Sequence, residues 1–96
     1  MKNCKRIEFK KSTEKFLKNR SRKEQVRLLT KISKLPDGEN IKKIEGYDNR
    51  YRLRVGDFRV IYEMSNDETK TNGNSDTNVI LVILVVNIGN RGDVYK

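Results

Sequence analysis

The chain has 96 residues, a length that suits one domain with one core. Its charged share, 36%, exceeds its hydrophobic share, 34%, so the core is limited to about one sheet face covered by helices. Lys and Arg number 22 against 13 Asp and Glu, a net charge of +9 that makes a compact chain repel itself and points to an anionic partner.

Nucleic acid, an anionic membrane or an acidic protein would each meet that need. The longest apolar run, Val79 to Val86, is far too short to cross a bilayer, which argues against a membrane. A single cysteine, Cys4, excludes an internal disulfide framework. The opening MKNCKRIEFKK lacks an apolar leader, and with the lone thiol this sets the expectation of a cytoplasmic protein. With no histidine and one thiol, no metal site is expected, and no cofactor motif is present.

Residues 4–9 read as a short first strand. Ser12 is placed to cap a helix ending near Lys18. Ser21 followed by Glu24 is a capping box, and behind it Val26, Leu28, Leu29, Ile32 and Leu35 recur at helical spacing. This second helix should end near Lys34, before Pro36-Asp37-Gly38, and form an antiparallel hairpin with the first. Residues 39–49 read as an irregular connector anchored by Ile41 and Ile44. Residues 65–78 are polar and rich in turn formers, and read as a long loop between strands. The apolar run at 79–88 reads as a central strand covered on both sides.

Between Arg50 and Glu63 the pattern has period two, and a two-residue turn at Gly56-Asp57 fixes its register. Val55 then faces Phe58, Arg54 faces Arg59, Leu53 faces Val60, Arg52 faces Ile61, and Tyr51 faces Tyr62. Directly opposed residues share a sheet face. One face is therefore Tyr51, Leu53, Val55, Phe58, Val60 and Tyr62, a core face for the helices. The other carries Arg50, Arg52, Arg54, Arg59, Ile61 and Glu63. Arg54 opposite Arg59 sets like charges together, which disfavours the sheet unless an anion joins them. Guanidinium forks match pairs of phosphate oxygens, so this face reads as a phosphodiester site. The plainer reading is a solvated outer face with Arg50 paired to Glu63. Downstream, Arg91 lies between Gly89 and Gly92, within reach of the same rim, and Tyr95 offers a ring for stacking and a hydroxyl.

The string YRLRVGDFRVIYE and the ending IGNRGDVYK resemble toxins of the RelE/ParE superfamily, on the RelE side. The FKKSTEKFLK start and the helix pair agree, so the resemblance covers essentially the whole chain. It implies an α+β fold, with an N-terminal two-helix hairpin on one face of a small antiparallel sheet, as in microbial ribonucleases. It also implies the toxin half of a toxin–antitoxin pair, entering the ribosomal A site and cutting mRNA there. In that reaction the ribose 2′-hydroxyl attacks the adjacent phosphate, leaving a 2′,3′-cyclic phosphate and a 5′-hydroxyl. Arg59, Arg91 and Tyr95 match the family's catalytic positions, and Arg52 and Arg54 match basic positions on the preceding strand. Arg50, Arg52 and Arg54 are the expected RNA contacts. The implied partners are a cognate antitoxin, in a hetero-oligomer, and the ribosome with its mRNA. Two departures stand out. The preceding-strand positions are lysines in well-known members but arginines here, which cannot shed a proton. Some relatives use His or Glu as acid or base; this chain has no His, and Glu63 is the carboxylate on the arginine face. A gyrase-poisoning branch shares the fold, and a non-catalytic RNA-binding module fits the same surface, so activity is a separate question.

Overall fold

The computed structural model of the chain describes residues 5–70 and 77–90. The order of elements is β1 (Lys5–Phe9), α1 (Lys11–Lys18), α2 (Arg22–Ser33), β2 (Ile41–Lys43), β3 (Arg50–Val55), β4 (Phe58–Lys70) and β5 (Thr77–Asn90). The strands form one sheet in the order β1-β5-β4-β3-β2. β1 runs parallel to β5 and every other pairing is antiparallel, so the sheet is mixed rather than wholly antiparallel. The parallel pair follows from connectivity, because two helices and three strands separate its members in sequence.

Helix α1 starts two residues earlier than its Ser12 cap predicts. The β1–β5 ladder continues to Lys10, whose N–H donates to the Val85 carbonyl (3.1 Å). Lys10 is then both the last ladder residue and the N-cap, and Ser12 falls inside the first turn. The Lys10 carbonyl accepts from the Thr13 hydroxyl at 2.6 Å. Helix α2 has the expected capping box: Glu24 N–H donates to Ser21 Oγ (3.2 Å), and Ser21 N–H donates to Glu24 Oε1 (3.3 Å). Gln25 ties the helices together, its amide donating to the carbonyls of Leu17 and Arg20 at the end of α1. At the end of α2, the Lys5 ammonium donates to the Leu35 carbonyl (2.6 Å), a cation placed against the helix's negative pole.

The phase of α2 differs from expectation. Leu28, Ile32 and Leu35 are buried, whereas Val26 (56% exposed) and Leu29 (43%) face outward. The apolar residues span more than one stripe of the helix, and the short α2–β3 contact admits only one.

The β3–β4 hairpin has the expected register at every pair, from Val55↔Phe58 to Arg50↔Glu63. Gly56 takes φ +57, the left-handed conformation that such a turn demands. Residues 65–70 and 77–78 are strand, not loop: β4 and β5 stay paired from Ser65↔Val82 to Lys70↔Thr77. Ser65, Asn66 and Asp67 are exposed and pair with Val82, Leu81 and Ile80, so backbone pairing rather than burial holds this part of β4. Residues 39–49 also contribute a strand, β2, where Ile41 pairs with Leu53.

The core joins Leu17, Leu28, Ile32 and Leu35 of the helical layer to Leu53, Val55, Phe58, Val60, Tyr62, Ile83, Val85 and Ile88 of the sheet. Phe16 meets Phe58 edge to face with centroids 6.0 Å apart, and Tyr51 stacks on Tyr62 at 5.6 Å. No helix among the described residues is long and apolar enough to cross a membrane.

Val60 is fully buried and Leu53 nearly so. Val60→Asp or Leu53→Asp should abolish cooperative thermal unfolding, since an unpaired buried carboxylate costs several kcal/mol against a total of about 5–15. Retention of a native melt would mean the faces are assigned the wrong way round. Burial, aided by Tyr51, raises the Tyr62 phenol from 10.0 to about 12. The unfolded chain therefore loses this proton first as pH rises, and the contribution to stability is lost between those two values. The melting temperature should fall more steeply across that window in the wild type than in Tyr62→Phe; parallel curves would contradict the assignment.

Candidate phosphate-binding face

The helices cover one face of the sheet, and no helix or strand among the described residues covers the opposite face. Registered neighbours cross it in rows. Gly89, Arg59 and Arg54 form one row. Asn87, Ile61, Arg52 and Lys42 form the next. Glu8, Leu84, Glu63 and Arg50 form a third.

A β-bulge sets the first two rows. The partner of Ile61 is Asn87 and that of Tyr62 is Val85, which leaves Val86 as an extra residue on β5. The extra residue reverses the parity of the strand. Leu81, Ile83 and Val85 face the helices, and so does Ile88 beyond the bulge. Gly89 consequently falls beside Arg59, where an unbulged strand would put Ile88. Arg59 thus lies between a residue without a side chain and another arginine.

The four arginines of this face differ in setting. Arg59 is only 4% exposed, the buried member, held on the middle strand of the sheet. Arg52 and Arg54 are half-buried. Arg50 is engaged by protein groups: its Nε donates to Glu63 Oε2 at 3.1 Å and its Nη2 donates to the same oxygen. Its guanidinium also lies 4.3 Å from the centre of the Tyr47 ring. The Glu63 hydrogen bond leads in raising the Arg50 pKa above its ordinary value, against a smaller lowering by desolvation. The plainer reading of Arg50, a cation paired across the strands, describes what this side chain does within the fold.

Glu63 sits four residues from Arg59 along β4, about 13 Å at the usual strand rise. Its carboxylate is bound to Arg50, so Glu63 is poorly placed to move protons at a group held by Arg59. Among the described residues, Arg52, Arg54 and Lys42 form no ion pair. Arg52, Arg54, Asn40, Ile41 and Lys42 line a concavity of about 260 Å³. Lys42 was hidden in sequence by the apparent irregularity of residues 39–49; the pairing Lys42↔Arg52 brings it to the arginine face. Arg91 and Tyr95 lie outside the described residues. Strand β5 ends at Asn90, one residue past Gly89 in the Arg59 row, and Arg91 is next in sequence.

Fold and face together define a small basic α+β protein with an arginine-bearing sheet face. It is similar to a chain in the crystal structure of a RelB–RelE antitoxin–toxin complex from Methanococcus jannaschii, with a TM-score of 0.62 and 28% sequence identity over 92% of this chain and 94% of that one. The fold is that of a RelE-like toxin. No family model matches the sequence, and neither does any curated protein.

Arg54→Ala should leave the melting temperature unchanged or slightly higher, because it removes a like-charge neighbour from Arg59. Arg50→Ala should lower it, because Glu63 is left half-buried without its cation. Thermal melts of the two variants check the order, and a reversal would contradict this division of the arginines.

Proposed function

We propose that this chain is the toxin half of a toxin–antitoxin pair, acting as a metal-independent endoribonuclease that cleaves mRNA in the ribosomal A site. The single observation that carries the reading is the Gly89–Arg59–Arg54 row, in which a fixed arginine lies beside a side-chain-free position at the end of β5. The RelE-like fold supports it. So does the resemblance of the tail, through Arg91 and Tyr95, to the RelE pattern.

In this reaction the ribose 2′-oxygen bonds to phosphorus and gives up its proton, while the bond from phosphorus to the 5′-oxygen breaks and that oxygen gains a proton. Arg59 and Arg91 neutralise the negative charge that develops on the phosphorane oxygens. Arg52 and Arg54 hold the flanking phosphates, and Arg50, anchored by Glu63, supports them from the rim. Tyr95 stacks on the reacting nucleotide or carries a proton for it. Neither arginine nor the paired Glu63 is suited to proton transfer. The ribosome therefore supplies in-line geometry, and orientation alone is worth several kcal/mol. A cognate antitoxin is the protein partner, as the RelB–RelE complex provides for its own chains.

Single-turnover cleavage of a programmed ribosome complex, beside a binding titration of the same variants, tests the reading. Arg59→Ala and Arg91→Ala should each reduce cleavage a hundredfold or more, about 3 kcal/mol of transition-state stabilisation, while binding falls only modestly. Tyr95→Phe should cost less than Tyr95→Ala if the ring stacks, and as much if the hydroxyl moves a proton. Cleavage and binding falling in step would point to a binding module. DNA damage without new mRNA ends would point to gyrase. Unchanged cleavage by a folded Arg59→Ala variant would remove the mechanism.

A further inference from the structure

The cations of the arginine face continue around the edge of the sheet. The concavity at Arg52, Arg54 and Lys42 shares Lys42 and Arg52 with a second of about 550 Å³, which adds Lys43, Ile44 and Glu45. That one shares Lys43, Ile44 and Glu45 with a third of about 400 Å³, which ends at Gly46 and Tyr47. The three adjoin along β2 through these shared residues and form a groove lined by Arg54, Arg52, Lys42 and Lys43, with Glu45 among the lining residues.

The backbone adds to the positive character of this edge. Asn40 and Ile44 bond toward β3: the Asn40 carbonyl accepts from Arg54 N–H (3.1 Å), and Ile44 N–H donates to the Arg50 carbonyl (2.9 Å). By the alternation of an antiparallel ladder, the N–H groups of Ile41 and Lys43 point away from β3. No strand among the described residues pairs with that side of β2.

Tyr47 closes the groove. The residue is 49% exposed, one of the large hydrophobic residues the fold leaves outside. The Arg50 guanidinium lies over it at 4.3 Å, and Glu63 fixes that guanidinium in turn. Tyr47 is thereby an oriented ring backed by a cation, at the end of a cationic channel. A charged groove that follows a phosphate backbone and ends on an aromatic ring is the arrangement that takes unpaired nucleic acid.

We infer that the β2 edge groove is a second RNA subsite, in which Lys42, Lys43, Arg52 and Arg54 follow the phosphates of a single strand and Tyr47 stacks on an unpaired base. The inference rests on the RNA-directed reading above and extends it from Arg52 and Arg54 to Lys42, Lys43 and Tyr47. Because any base presents a π-face, the subsite tolerates sequence and selects for single strands over duplex. Arg50 acts here as a positioning residue, through Tyr47.

The test is fluorescence anisotropy of a labelled 2′-O-methyl oligoribonucleotide titrated with the full chain. Such a strand cannot undergo 2′-hydroxyl attack, so binding is read apart from cleavage. Tyr47→Ala should weaken binding roughly tenfold. Tyr47→Leu, which keeps apolar bulk without a π-face, should weaken it similarly, and Tyr47→Phe should bind like the wild type. Lys42→Gln and Lys43→Gln should each lower the slope of log affinity against log salt by about 0.7. A duplex of the same sequence should bind Tyr47→Ala and wild type alike. Wild-type affinity in both the Ala and Leu variants, or failure of the wild type to bind the strand, would overturn the subsite. Programmed-ribosome cleavage measured in parallel reports separately on the ribonuclease reading, which stands or falls without this titration.

Discussion

Strand register is the constraint on which the rest of this structure depends. The left-handed Gly56 and its neighbour Asp57 lock Val55 to Phe58, and every later pair in the hairpin follows. Because side chains alternate, a slip of one residue would turn Leu53, Val60 and Tyr62 to solvent and the arginines into the helices. The cost of such a slip is the loss of the core, so the core itself holds the arginine face in place. The bulge at Val86 carries the same control across β4 to β5. It lets Val85 and Ile88 both reach the core and sets Gly89 beside Arg59. Packing and site geometry are here one set of distances.

The parts of the fold that could be read from sequence are those whose signals are local. The capping box at Ser21 and Glu24, the hairpin register and its two faces need only turn chemistry and period-two alternation, and the structure has them. What could not be read depended on partners distant in sequence. The segment 65–70 is polar and resembles a loop, yet it is strand because β5 supplies its hydrogen-bonding partners. β2 was hidden for the same reason, its three residues being defined only by Arg52 and its neighbours. The parity change at Val86 has no local sign in a run where nearly every residue is apolar. In α2, the excess of apolar residues left the buried stripe undetermined until β3 selected Leu28 and Ile32. For the site, residue types and row were legible, but not that Arg59 would be buried while Arg50 turned to Glu63 and Tyr47.

Charge on the arginine face is partitioned along the strands. Toward the distal part of the sheet, Arg6 bonds both Glu8 (2.7 Å) and Asp67 (3.2 Å). Since Arg6 is registered with Val82, and Asp67 with Ile80 on the far side of that strand, this pair spans the apolar β5. Val82 is consequently buried although it faces away from the helices. The next row has Arg50 with Glu63. In the two rows beyond it, Arg52, Arg54 and Lys42 form no ion pair among the described residues. These three cations attract an anionic strand to this part of the face.

In the proposed reaction, chemistry has to proceed without a histidine. A general base must lie within hydrogen-bonding reach of the proton it takes, and Glu63 is two rows away with its carboxylate held by Arg50. The arginines of the proposed site stay protonated at any working pH. What they can offer is fixed positive charge, and fixed charge is most effective where it does not rearrange as the reaction proceeds. Arg59 meets that condition through its burial on the middle strand: its backbone is paired on both sides, to Arg54 and to Gly89, and its side chain has little room to move. Lowering the energy of the phosphorane by such charge also makes the 2′-hydroxyl proton easier to lose, so less basicity is required of whatever removes it. A weak acceptor, whether water, a phosphate oxygen or the tail tyrosine, then suffices once a larger assembly has aligned the strand.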